Sequence, residues 1–322
     1  MPVQSRTPQT APRAVVAAAV FTVTAWASAF VAIRSAGEAL SPGPLALLRL
    51  AVAGVCLGMV VALRRERLPG RREAAGVVVC GLSWFGVYNV ALNAGERRVD
   101  AGTAAMIVYV GPVLIALLAG WLLGEGFPRT LLLGCAISFG GVAVIAVATS
   151  GGIHLNAGAL LCLLAAATYA IGVVAQKPVL ARRSSISVTF AACMVGLIVC
   201  LPFAPRLVDE LSSAPAGAIG AGIYLGVVPT ALAFTTWAYA LTHRTAGNMA
   251  SISFVVPGLA VVMGWILLGE TPAPLALLGG GLVLLGVVLS LFALFAFGWL
   301  RVGLFDRHPI AIYALLAIAV VA

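Results

Sequence analysis

Asn89 and Asn93 stand four residues apart inside an otherwise apolar run. A helix would put both amides on one face, with Trp84 and Tyr88 on a neighbouring one. Two amides so placed can hydrogen-bond the head group of a small polar solute; they can equally tie helix to helix, as Asn does in membrane bundles. Other polar or aromatic residues fall inside similar runs: Trp26 and Ser28, Tyr109, Tyr169 and Gln176, Thr235, and Asn248 with Ser251. A polar group left unpaired in lipid is costly, so each is expected to face a cavity or another helix. Ser251 is small enough simply to permit close packing, and Gln176 approaches an interface where water can reach it. Trp26, Tyr88 and Tyr169 lie too deep to be interface anchors, which leaves a chamber wall or core packing. An aromatic-lined, weakly polar chamber would suit bulky or moderately apolar solutes.

Arg49 is the most informative charge. Five residues after Pro44 it sits about 7.5 Å into its helix. It either snorkels to head groups or holds a carboxylate or a helix end inside the bundle. Pro112 and Pro257 each lack an N–H and free a carbonyl one turn back, so each helix can bend there, as a hinge or as a static kink. Glu125 and Glu270 close apolar helices, where an acid opposes the local dipole. Pairing with a basic residue across the bundle, as a latch, accounts for them better than substrate binding does.

The absences are as informative. The acids and histidines all fall in loops or at helix ends, so a buried carboxylate relay for proton coupling lacks its obvious part. No nucleophile–base pair, HExxH or GxSxG motif is present, which argues against an enzyme and leaves no catalytic residue to name. The six cysteines lie in apolar runs without CxxC spacing and read as small hydrophobes, with neither a metal site nor a cofactor implied.

The elements that must position these residues span a bilayer. Hydrophobic residues make up 62% of the 322 and charged residues 9%, with a mean hydropathy of +1.12. One soluble core could not hide that much apolar surface. Ten stretches reach the roughly 20 residues a span needs, near 14–34, 44–63, 74–95, 101–123, 130–149, 157–180, 186–204, 215–241, 246–268 and 272–297. The fold class is therefore all-α integral membrane. Residues 1–13 form an N-terminal tail, 14–150 and 157–297 two five-helix units, and 298–322 a partly apolar extension. Fourteen residues at 309–322 are too few to cross as a helix and suggest an interfacial or re-entrant segment.

The two units repeat. Ala101-Gly102, Pro112, Gly124-Glu125, Gly134 and Gly141 return 145 residues later as Ala246-Gly247, Pro257, Gly269-Glu270, Gly279 and Gly286. Trp26-Ala27 matches Tyr169-Ala170, and Arg34 matches Lys177, at an offset of 143. Arg6, Arg13 and Ala27-Ser28-Ala29 resemble a signal peptide with its cleavage site. The repeat argues otherwise, because cleavage would remove one unit's copy of a shared element. Fourteen of the nineteen basic residues fall on one side if the N-terminus is cytoplasmic, against Arg34, Arg97, Arg98 and Arg206 on the other. That bias puts both termini inside, and it explains the net charge of +9 without a nucleic-acid partner. Five helices per unit is odd, so the second unit enters upside down. Inverted repeats of this kind let two halves alternate access around a central site.

Trp26 to Arg34 followed by Leu48-Arg49-Leu50-Ala51, then Ala101 to Glu125 with Leu122-Leu123-Gly124-Glu125, resembles the EamA family of the drug/metabolite transporter superfamily. The second unit repeats the pattern from Tyr169 through Thr230-Ala231-Leu232-Ala233-Phe234 to Pro257 and Leu268-Gly269-Glu270. The resemblance covers about residues 14–291, with Tyr169 standing where the first unit has Trp26 and the tail exceeding the usual ending. It implies an inner-membrane carrier of ten helices, moving amino acids, related metabolites or drugs outward. It also implies a cavity between the halves, lined mainly by helices 1, 3, 4, 6, 8 and 9. A lipid or lipid-linked sugar flippase is the alternative, and a non-transporting scaffold the remote one. The partners expected are a small-molecule substrate and membrane lipid. No oligomeric state follows, and a monomer satisfies every reading above.

Overall fold

The computed structural model describes residues 12–111, 113, 114, 118, 129–150, 157–180, 182–236 and 255–302, and all regular structure among them is helical. We label the helices α1 (Pro12–Ala36), α2 (Pro42–Arg64), α3 (Ala74–Glu96), α4 (from Ala101–Val108), α5 (Arg129–Ser150), α6 (Ala157–Leu180), α7 (Ser185–Cys200), α8 (Ala216–Thr236), α9 (Val255–Leu268) and α10 (Pro274–Val302). Six of the described helices are long and apolar enough to cross a membrane, and shorter apolar helices lie at 132–145, 255–268 and 274–286. Their outward faces are apolar too: Val55, Leu63, Ile198, Ile266 and Leu278 are each more than 60% exposed. Such a surface is stable only against hydrocarbon. The protein is an integral membrane protein.

The two units pack as an inverted pair. Equivalent helices meet each other antiparallel, α2 on α7 and α5 on α10. Along α2 and α7, Gly43 meets Phe203 while Gly58 meets Phe190. Along α5 and α10, Gly141 lies against Gly279, and Gly134 against Gly286. A Cβ on Gly141 would fall 2.5 Å from the Gly279 carbonyl oxygen, and one on Gly279 would fall 2.7 Å from that of Gly141. Backbone contact at this range admits only glycine, and it accounts for three of the glycines that define the repeat, Gly141, Gly279 and Gly286. The cross-unit packing of α1 on α8 is mirrored by α6 on α3, and that of α1 on α9 by α6 on α4.

Two details depart from the sequence reading. Residues beyond Cys200 turn through Leu201–Phe203 into an amphipathic helix, Ala204–Ser213, with no buried residue. The apolar pattern of the sequence assigns residues 205–214 to no element. In addition, α3 and α8 each contain a π-helical turn, Gly81–Val87 and Gly226–Leu232, again 145 residues apart. Pro229 lies inside the second and cannot donate to the ladder. The first has no proline, and nothing local in its sequence forces it.

Candidate functional site

Both π-turns open on one chamber. Its free volume is about 80 Å³, and it is lined by Trp26, Ala29 and Phe30 of α1, Arg49 of α2, and Trp84, Phe85, Tyr88, Asn89 and Leu92 of α3. Val108 and Tyr109 at the end of the described α4 helix, Tyr169 of α6, and Thr230 and Phe234 of α8 complete the wall. Both units therefore contribute. The chamber lies on the seam between two apolar clusters, one holding Phe30, Leu92 and Tyr109, the other Trp84, Phe85 and Tyr169; Tyr88 packs against both.

Aromatic rings make most of the wall. Trp84 stands edge-on to Phe234 at 5.0 Å between centroids and tilts against Tyr169 at 5.5 Å. Trp26 meets Phe234 at 6.0 Å, and Tyr88 meets Tyr169 at 6.1 Å. These separations are those of edge and tilted ring pairs, which hold each other's orientation. Gly172 of α6 lets Trp84 in, since a Cβ there would lie 2.5 Å from the Trp84 Cβ.

Three polar side chains, Arg49, Thr230 and Asn89, interrupt this wall. Arg49 is 7% exposed, and its Nε donates to Thr230 Oγ1 at 2.9 Å. Thr230 Oγ1 in turn donates to Leu225 O at 2.8 Å, the carbonyl immediately before the π-turned, Pro229-interrupted stretch of α8. With its proton committed there, the hydroxyl presents a lone pair to the guanidinium. Arg49 Nη1 is buried without a hydrogen-bond partner. Leaving a buried charge without its contact partner costs about 3–5 kcal/mol. Asn89 is 4% exposed; its Nδ2 donates to Phe85 O at 2.8 Å and, weakly, to Trp84 O at 3.4 Å. Carbonyls only accept, so this fixes the amide's orientation and leaves Oδ1 as a buried acceptor without a partner.

Above the chamber, one end of the bundle is tied shut. Arg34 Nε donates to Glu270 Oε1 at 2.5 Å, and Arg34 Nη1 donates to Glu96 O at 2.8 Å. Glu270 Oε2 accepts from the Ala101 N–H at the start of α4, at 3.2 Å. One carboxylate and one guanidinium thus join the ends of α1, α3, α4 and α9. Beside them Glu96 is 1% exposed, with both carboxylate oxygens unpartnered. By sequence, every acid falls in a loop or at a helix end. Glu96 is at the end of α3, but it is buried, and only the tertiary packing reveals that.

Of the residues singled out from sequence, the chamber gathers Trp26, Tyr88, Asn89, Tyr109, Tyr169 and Arg49. The snorkelling alternative for Arg49 does not hold, because the side chain turns into the bundle. Four others lie elsewhere. Ser28 shares a hydrogen bond with Tyr224 at 2.6 Å, Asn93 donates to Pro42 O at 3.0 Å, Thr235 bonds its own helix at Ala231 O, and Gln176 is buried off the chamber wall. Pro257 is buried near the described start of α9. Pro112, Glu125, Asn248 and Ser251 lie outside the described residues, as does most of the 298–322 extension. Phe85, Leu92, Thr230 and Phe234 also line the chamber, and their residue types alone do not single them out as site residues. For Thr230 a signal existed: it follows the only proline of α8 that falls mid-span.

A chamber between inverted repeats, walled by both and closed by an ion pair at one end, defines a membrane transporter of the built-from-halves class. The chain belongs to the EamA-like transporter family, which matches it twice, over residues 13–147 and 156–292. It is 37% identical over 272 residues to a probable terminal-alkyne amino-acid exporter of Streptantibioticus cattleyicolor, covering 84% of this chain and 91% of that one. It is 33% identical to the uncharacterized transporter YdfC of Bacillus subtilis, covering 81% and 86%. A probable amino-acid metabolite efflux pump of Salmonella typhimurium is 25% identical, with coverage of 85% and 93%. A solved crystal structure, 20% identical, superposes with a TM-score of 0.59 over 88% of this chain and 98% of that one, a likeness of fold.

Proposed function

We propose that the protein exports amino acids, or small metabolites and drugs related to them, across a bacterial inner membrane by alternating access between its two repeats. The observation that carries this reading is the chamber itself, drawn from both units, aromatic, and holding one buried cation. Relatives named as amino-acid exporters support the substrate class. Both termini lie in the cytoplasm on this reading, so the Arg34–Glu270 pair closes the outer end. A volume of about 80 Å³ is well below the roughly 300–1,000 Å³ of a ligand pocket, so the chamber must widen as either end opens.

Counterflow in proteoliposomes tests the reading. Purified protein is loaded with unlabelled amino acid and offered labelled amino acids, related metabolites and cationic dyes. Transient accumulation of at least one amino acid above empty liposomes is expected. Movement of fluorescent phospholipid between leaflets, with no solute accumulating, would replace this reading with a lipid flippase.

A further inference from the structure

The two unsatisfied polar atoms of the chamber differ in kind. Arg49 Nη1 is a charged donor and Asn89 Oδ1 a neutral acceptor, each on a side chain more than nine-tenths buried and lining the same cavity. Neither is left over by accident of rotamer. Thr230 fixes Arg49 through Nε, and two carbonyls of the α3 π-turn fix the Asn89 amide. No carboxylate among the described residues is in salt-bridge contact with Arg49: Glu270 is taken by Arg34, Glu73 faces Arg183, Glu210 faces Arg206, and the buried Glu96 acts on Arg49 only through space. A guanidinium so placed suits a carboxylate, which accepts from it with charge-assisted strength. An amide oxygen among tyrosine and tryptophan rings suits an ammonium group, which also gains from the ring faces.

We propose that Arg49 binds the carboxylate, and Asn89 Oδ1 the ammonium, of one amphoteric head group, so that the substrate's side chain is turned onto the Trp84–Phe234–Tyr169 wall. The proposal rests on the reading of the chamber as a substrate site and adds the class that site selects: free α-amino acids with apolar side chains, not their amides or deaminated acids. Thr230 is a positioning residue, acting through Arg49.

Binding is read without transport, from the tryptophan fluorescence of the purified full-length protein in detergent, since Trp26 and Trp84 line the chamber. The probes are L-leucine and L-phenylalanine, each with its amide and its deaminated acid (4-methylpentanoate, 3-phenylpropanoate). At least one free amino acid should perturb the fluorescence, with its amide and its deaminated acid each weaker by about tenfold or more. Arg49→Gln should erase the preference for acid over amide, and Arg49→Lys should keep part of it. Asn89→Leu should erase the preference for the amino acid over its deaminated acid. The ligand series needs no variant, so a variant that fails to fold leaves it decisive. Equal binding of amino acid and amide, or no response to either amino acid, overturns the proposal. Selective binding without counterflow would retain it and overturn the transport reading instead.

Discussion

At the scale of single residues, one hydroxyl decides where the buried cation points. Thr230 accepts from Arg49 while donating to Leu225 O. Thr230→Val keeps the shape and removes both bonds, so apparent KM for the transported amino acid should rise by about tenfold, the worth of a hydrogen bond to a charged group; Thr230→Ser should stay near wild type in counterflow. Glu96 makes the opposite case. A carboxylate buried without a hydrogen-bond partner, with Arg34 and Arg49 acting on it only through space, costs stability, and a protein that keeps one does so for function. Glu96→Gln should therefore raise the Tm in detergent and slow counterflow, and a variant that gained neither stability nor lost rate would remove that argument. Arg49 and the aromatic wall were legible in the sequence because charge and ring size stand out in an apolar run. Burial of Glu96 was not, since one acid at a helix end reads the same whether its neighbours cover it or water does.

At the scale of elements, glycine spacing and capping set how helices meet. Gly141→Ala would drive a methyl group into the Gly279 backbone and should cost about 1–3 kcal/mol, lowering the Tm. Gly140→Ala meets nothing within 4 Å and should be neutral or slightly stabilising through helix propensity, about 0.5–1 kcal/mol. Thermal unfolding of the two variants side by side checks the pair. The surface helix 204–213 supplies a second joint: Glu210 accepts from the Ser41 N–H at the start of α2, at 2.7 Å, and from Arg206 at 2.8 Å. Desolvation opposes its ionised form, but these bonds outweigh it and hold the carboxyl below its ordinary value. Its contribution is then complete at neutral pH and is lost as the pH falls below about 4.3 and through the folded value. The Tm gap between wild type and Glu210→Gln should close over that acid range. Span positions followed from apolar length, whereas the π-turn of α3 did not, because no proline marks it.

At the scale of the molecule, the repeat is the organising fact. Positions 145 apart in sequence become equivalent positions related by inversion: glycines on α5 and α10, π-turns in α3 and α8. The offset was legible at once, and antiparallel contact between equivalent helices gives it physical form. The pairing of Arg34 with Glu270 could not be read the same way, since each repeats separately and only the fold sets one unit's arginine against the other's glutamate. On the proposed alternating access, one chamber serves both sides of the membrane in turn. The most direct test places a cysteine at Ala29, on the chamber wall, in a background with the six native cysteines replaced. Labelling by a membrane-impermeant maleimide is then followed from each face of oriented vesicles. Labelling is expected from the cytoplasmic face while Arg34–Glu270 is intact, and new labelling from the outer face in Arg34→Ala or under a substrate gradient. Labelling from one face under every condition would rule out alternating access.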